Sequence, residues 1–375
     1  MKSIALLLTI AAIFSTSRVN AQEKPWMLGP FVKQDNVNPC LTPKTTIFFD
    51  PVLKRNIGWE AQDVYNPAAI VRNGKIHLLY RAEDTVKKYA GTSRIGLAVS
   101  TDGLHFTTSK QPVLFPDNDA MLKYENEGGV EDPRIVQDDK GTCYMTYTAY
   151  DGTTARLFIA SSTDLKKWTK HGSVFKNAEN GKYINYWSKA GSIVCEIKNG
   201  KIVAAKINGK YWMYWGESNI YAATSDNLID WTPLPETDPA KKQYDTLRNY
   251  EAFKIVFGPR PGKFDSQLVE PGPPALVTNA GIVFLYNSRN SPVSGDRSLA
   301  EGTYAAGQIL LDKNDPLKVI DRCDNYFIKP DKPYEISGQV NHVCFIEGLV
   351  RFNNEWFLYY GTADSKIAVA TTAVK

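Results

Sequence analysis

The sequence has no CxxC pair, only 4 histidines in 375 residues, and no cluster of basic side chains. Its five cysteines (Cys40, Cys143, Cys195, Cys323, Cys344) are scattered and odd in number, so they outline neither a disulfide framework nor a redox or metal motif. Cys143, Cys195 and Cys344 fall in apolar, strand-like runs and are expected to be core residues. His77, His105, His171 and His342 lack ligand spacing, so neither a metal nor a cofactor is implied. Lysine and arginine total 44 against 40 acids, dispersed along the chain, which excludes the basic stripe that nucleic acid requires. Helical periodicity of useful length is missing. Long hydrophobic runs are missing too, except at the start. Residues 1–21, "MKSIALLLTIAAIFSTSRVNA", carry Lys2, an apolar run too short to span a membrane, and a small-residue end at Ala21. They read as a signal peptide, with no lipoprotein cysteine at the cleavage point. The remaining 354 residues, 22–375, are expected to form one exported domain, periplasmic or secreted.

Aromatic residues, by contrast, are plentiful at 12%, with 20 Tyr and 8 Trp. That excess suits pleated sheets and equally suits flat contacts with sugar rings. The arrangement is periodic. A turn and an apolar strand recur as "NGKIHLLYRAED", "KGTCYMTYTAYD", "NGKYWMYWGES", "NAGIVFLYNSRN" and "NNEWFLYYGTAD". A second alternating strand follows each, starting at Arg94, Arg156, Ser218, Gly302 and Ser365, with spacings of 62, 62, 84 and 63 residues. An insertion at 233–253 explains most of the long interval. A further apolar run precedes each pair, as in "YNPAAIVR" and "EDPRIVQ". Five such units predict an all-β, five-bladed β-propeller. A ten-strand sandwich is the alternative, but it leaves the five-fold register without a cause.

In a propeller the first strand of each blade lines a central channel. Glu131, Asp132 and Arg134 of "GGVEDPRIV" would then meet Asn66, Lys189, Glu270 and Glu347 from the other units. Such a ring is either a polar-ligand site or a charge network plugging the channel. Successive residues of a strand point to opposite faces, so only one of Glu131 and Asp132 is expected to face a ligand.

The stretches "YNPAAIV" (65–71), "LYRAED" (79–84), "SRIGLAVSTDG" (93–103), "GVEDPRI" (129–135), "EPGPPALV" (270–277) and "YYGTADSKIAVA" (359–370) resemble glycoside hydrolase family 130, the mannoside phosphorylases and related β-mannosidases. They are spread over nearly the whole mature chain in the family's order. The resemblance implies a five-bladed propeller and an inverting attack on β-mannosides. It makes Asp132 the general acid, acting in the phosphorylases through the 3-hydroxyl of mannose. It places Asn66, Arg81, Asp84 and Asp364 on the non-reducing mannose, with Arg94, Arg134 and Lys189 around the same pocket.

The family contains both phosphorylases and hydrolases. Where its phosphate-binding histidine is expected after a tyrosine, this sequence has Tyr286 and then Asn287, an uncharged donor. Glu217 and Glu270 add carboxylates near the expected channel, where they would repel phosphate and suit a general base; Glu251 is a weaker candidate. Each is equally explained as a salt-bridged carboxylate. With the export signal, these features favour an exported inverting β-mannosidase, β-1,2 linkages first and β-1,4 next. Two alternatives stand. Arg94, Arg134, Lys189 and Arg289 would rebuild an anion site in a phosphorylase releasing mannose-1-phosphate, or the propeller is a non-catalytic glycan-binding module. In every reading the partner is a β-mannoside glycan. Tyr186, Trp187 and His342 are possible sugar contacts.

Overall fold

The computed structural model of the protein describes residues 24–86, 91–243 and 251–374. The expected signal peptide lies outside the described residues. The chain is all-β, with helix among the described residues limited to two four-residue turns and one 3-10 turn. Its strands form five successive antiparallel meanders. The first runs through Asp63–Arg72, Lys75–Glu83, Ser93–Ser100 and Thr107–Thr108. The second runs through Gly129–Gln137, Cys143–Tyr150, Ala155–Ser162 and Thr169–Ser173. The third uses Ser192–Lys198, Lys210–Trp215, Ile220–Ser225 and Trp231–Pro233. In the fourth, Leu268–Pro271 and Ala275–Val277 together pair with Ile282–Arg289, followed by Tyr304–Leu311 and Val319–Arg322. The fifth comprises Cys344–Phe352, Glu355–Thr362 and Lys366–Ala373, and Val32–Lys33 from near the other end of the chain completes it. This last pairing hydrogen-bonds the two ends of the domain to each other.

Each second strand carries a buried tyrosine at the equivalent position: Tyr80, Tyr147, Tyr214, Tyr286 and Tyr360. Burying a phenol demands a partner for its hydroxyl. Glu60, Glu125, the Pro316 carbonyl, Asp265 and Glu335 accept these five hydrogen bonds at 2.7–2.9 Å. Where the ring leans across its sheet, the third strand makes room. Tyr80 faces Gly96 and Tyr286 faces Gly307 in register. A β-carbon on Gly96 would lie 2.3 Å from the Tyr80 ring. Gly96→Ala is therefore expected to cost about 1–3 kcal/mol, measurable by urea unfolding; an unchanged midpoint would show that the ring relaxes freely.

The five cysteines are all free thiols, and all but Cys40 are buried. Cys143, Cys195 and Cys344 sit at 0% exposure within the core, as the apolar runs around them predicted. Along the inner strands, polar residues occupy the beginning and apolar ones the end. Val71, Val136 and Val350, near the ends of the first strands of three meanders, converge with Ile202 and Pro274 around a small cleft. The first strands of the first, second and fifth meanders therefore meet at this cleft, and the beginnings of the same three strands border the charged cavity.

Candidate active site

At the polar end, Asn66, Asp132, Lys189, Glu270 and Asp364, drawn from five separate stretches of chain, border one cavity of about 120 Å³. Arg81 and Glu217 complete its charged wall, and Tyr65, Tyr304, Val343 and Phe345 supply its apolar part. Two of these side chains, Asn66 and Asp132, arrive by a shared device. Strand register slips between Tyr65 and Pro67, between Glu131 and Arg134, and between Ile346 and Gly348. The bulged residues are Asn66, the Asp132–Pro133 pair and Glu347. Asn66 and Asp132 take φ values of +47° and +48°, and Ala363 and Asp364 both take +48°. Asparagine and aspartate tolerate this left-handed conformation better than most residues, but it remains strained backbone of the kind concentrated at functional sites.

The bulge also answers how Glu131 and Asp132 divide their roles. Both carboxylates reach Arg81: Asp132 Oδ1 lies 3.0 Å from Nη1 and Glu131 Oε1 lies 3.1 Å from Nη2. Only Asp132 borders the cavity. There it accepts a 2.9 Å hydrogen bond from Asn66 Nδ2 and stands 3.8 Å from Lys189 Nζ. Arg81 is itself fixed, donating to Glu83 at 2.8 Å and to Ser93 at 2.9 Å, with Tyr65 beneath the guanidinium. Trp187 Nε1 donates to Glu217 Oε2 at 2.8 Å, a contact that fixes this carboxylate at the cavity.

Burial sets the protonation of this wall, modified by its cations. It pushes Glu270 up to about 8; Lys189 opposes this and Glu217 adds to it. Asp364 is pushed up to about 7 by burial against the pull of Arg81. Burial likewise raises Glu131, to about 7. For Asp132 burial acts in the same direction, but Arg81, Lys189 and the Asn66 hydrogen bond overcome it and hold the carboxyl below its usual range. The cavity thus keeps an ionised carboxylate facing a carboxyl that holds its proton, the separation that acid–base chemistry needs.

One consequence is measurable as stability. The folded-state value of Glu270 lies above its unfolded one, so its contribution is fully present below about pH 4.5 and is lost as pH rises through about 8. Glu270→Gln removes that loss. Its melting temperature relative to wild type is expected to rise between pH 5 and pH 8. A difference that stays flat or falls over that interval contradicts the assignment.

Comparison with known proteins identifies the family. The family model Glyco_hydro_130, described as beta-1,4-mannooligosaccharide phosphorylase, matches residues 31–375. The chain belongs to glycoside hydrolase family 130. It is 32% identical to a 1,2-beta-oligomannan phosphorylase from Thermoanaerobacter sp. (strain X514) over 87% of this chain and 95% of that protein. A solved glycosyl hydrolase from Bacteroides ovatus is 47% identical with a TM-score of 0.89, covering 94% of this chain and 96% of that one. Another, described as "The GH130 family of mannoside phosphorylases contains glycoside hydrolases that target beta-1,2 mannosidic linkages in Candida mannan", is 46% identical with a TM-score of 0.89 over the same shares.

Several of the residues expected in this family 130 pocket lie elsewhere. Arg94 pairs in register with Ala82, whereas Arg81 pairs with Ile95, so Arg94 points to the opposite face of its sheet. There it binds Asp84 at 2.6 Å and Asp50 at 2.5 Å in a fully buried network. Asp84 follows Glu83 onto that same face. Tyr286, one residue from Asn287, likewise points away and bonds Asp265 and Arg322. Asn287 spans two meanders, donating to the Ile346 carbonyl at 2.9 Å and accepting from its amide at 2.7 Å. Arg134 lies behind the cavity rather than in its wall. Glu251 pairs with Lys182 at 2.5 Å and takes no part. Tyr186 packs on Tyr183 and Phe253. His342 reaches the rim by its backbone, its carbonyl accepting the Tyr304 amide at 2.9 Å. Tyr65, Tyr304 and Phe345 were not anticipated as lining residues; the repeated aromatic positions alone do not say which ring borders the axis.

Proposed function

We propose that the five meanders are the blades of one propeller, and that its axial cavity removes the terminal mannose of a β-mannoside with inversion, water being the acceptor. The observation that carries this reading is the pairing of Asp132 with Glu217 and Glu270 around a single cavity. Inverting hydrolysis needs one carboxyl to protonate the leaving oxygen and another to activate water. Asp132 takes the first role, on the family resemblance, and Glu270 or Glu217 the second. Asn66 Oδ1, buried and without a partner, is an acceptor for a sugar hydroxyl, and Arg81 and Asp364 supply further polar contacts. The low value of Asp132 and the high value of Glu270 are the reverse of these roles, so only molecules with the proton on Asp132 and the charge on Glu270 react. The bell shape of kcat/KM survives this inversion, with its alkaline limb near pH 8 belonging to Glu270.

The acceptor is water on this reading because the cations expected to hold phosphate are engaged: Arg94 with two aspartates, Arg134 with Glu347, and Lys189 with Asp132. The solved structure 46% identical, whose description names hydrolases acting on β-1,2 mannosidic linkages, supports water and that linkage. A second reading has specific support. The curated relatives are named as phosphorylases, including the one 32% identical, and they favour phosphate over water. Arg289 also has no acidic partner among the described residues and lies beside Tyr304, its guanidinium 5.7 Å from that ring. Incubation with β-1,2-mannobiose in the presence and absence of phosphate separates the two. Free mannose at an unchanged rate is expected; mannose-1-phosphate as the main product overturns hydrolysis. No turnover under either condition, with sugar still bound, would make the domain a glycan-binding module. Export is proposed on the leader alone, and a secreted or periplasmic protein beginning at Gln22 is its test.

A further inference from the structure

Behind the cavity, Arg134 is buried to 1% exposure and contacts three meanders at once. Its Nη1 donates to the carbonyl of Asp132 at 3.2 Å. Its Nε and Nη2 donate to the carbonyls of Gly272 at 3.0 Å and Pro271 at 2.6 Å, the two residues that directly follow Glu270. Glu347 Oε1 lies 2.9 Å from Nη2, yet neither Glu347 oxygen is aligned for a hydrogen bond, because the guanidinium hydrogens are directed at the carbonyls. The geometry is that of a fork clamping two backbones, with Glu347 as a charge partner beside it.

We propose that Arg134 is a positioning residue that sets the separation between the Asp132 and Glu270 carboxyls by tethering the backbone of both. The two segments are 138 positions apart between Arg134 and Gly272, and among the described residues the side-chain hydrogen bonds of Arg134 are what join the peptide groups flanking Asp132 to those flanking Glu270. In an inverting site that separation must admit one water between the reacting carbon and the base. The left-handed bulge at Asp132 gives it a further need for restraint, since a strained turn relaxes unless its surroundings hold it. A lysine would supply the charge for Glu347 but not the three-way fork.

The inference rests on the acid–base reading of Asp132 and Glu270 above. It is tested with Arg134→Met/Glu347→Gln, which removes the fork without stranding a buried charge, against Glu347→Gln alone. The expected result on β-1,2-mannobiose is a fall in kcat of about 10²-fold in the double variant, the scale of a misplacement near 1 Å, with KM within about threefold. Glu347→Gln, which leaves every carbonyl bond in place, is expected to keep kcat within about threefold. Activity is referred to folded protein by circular dichroism. A purely structural role would lower the melting temperature while kcat per folded molecule stayed at the wild-type value, and that outcome overturns the proposal. Should the double variant not fold, Arg134→Lys carries the same test with the same two outcomes. A wild-type enzyme that cleaves no β-mannoside sinks the underlying reading instead, and the two failures are thereby told apart.

Discussion

Asp132→Asn is expected to lower kcat on β-mannosides by about 10²–10⁴-fold, the range of a positioned acid–base group, while the protein remains folded. The substitution keeps the shape of the side chain and its ability to meet Asn66, but it removes the carboxyl group that would carry the proton to the leaving oxygen. It also removes the charge that Arg81 and Lys189 share at 3.0 and 3.8 Å. Loss of one carboxylate from a cluster of this density leaves Arg81 still paired with Glu83 and Glu131, so collapse of the site is not expected. The check is a steady-state assay alongside a binding measurement with mannose. Unchanged turnover with intact sugar binding would remove Asp132 from the chemistry and return the domain to a binding role.

The second large effect concerns stability rather than activity. Arg94→Met is expected to destabilise the fold by about 3–5 kcal/mol, because it strands two buried carboxylates. Arg94, Asp84 and Asp50 are exposed by no more than 3% at their side chains, and the guanidinium spans both acids at 2.5 and 2.6 Å. Denaturant unfolding reads the loss directly. Activity per folded molecule should be retained, since none of the three borders the cavity. A KM raised many-fold at unchanged stability would instead put Arg94 back among the sugar-binding residues.

That case shows how far residue patterns reach. The motifs around Arg81 and Arg94 both look like pocket motifs, and both arginines are paired with acids. They differ by one step of register: Arg81 is opposite Ile95, and Arg94 is opposite Ala82. A period of two sends them to opposite faces, and which face looks at the axis is a property of the assembled sheet. Tyr286 fell on the wrong side for the same reason. The repeated tyrosines were visible as letters, but their shared role appeared only once Glu60, Asp265 and Glu335, distant in sequence, were seen to accept their hydroxyl protons.

The sequence by itself determined the all-β class, the five-fold recurrence of strand pairs, the core cysteines and the family. It also singled out Asn66, Asp132, Lys189, Glu270 and Glu347 as counterparts at strand tips, of which all but Glu347 border the cavity. These follow from local alternation and from motif identity, which are written along the chain. The tertiary structure decided which of two adjacent acids enters the cavity, through the bulge at Asp132. It also decided which cations are already engaged, and that Arg134 stands behind the site rather than in it. Those outcomes depend on through-space distances among separate strands and on the burial that sets each charge, and neither quantity exists until the meanders have packed together.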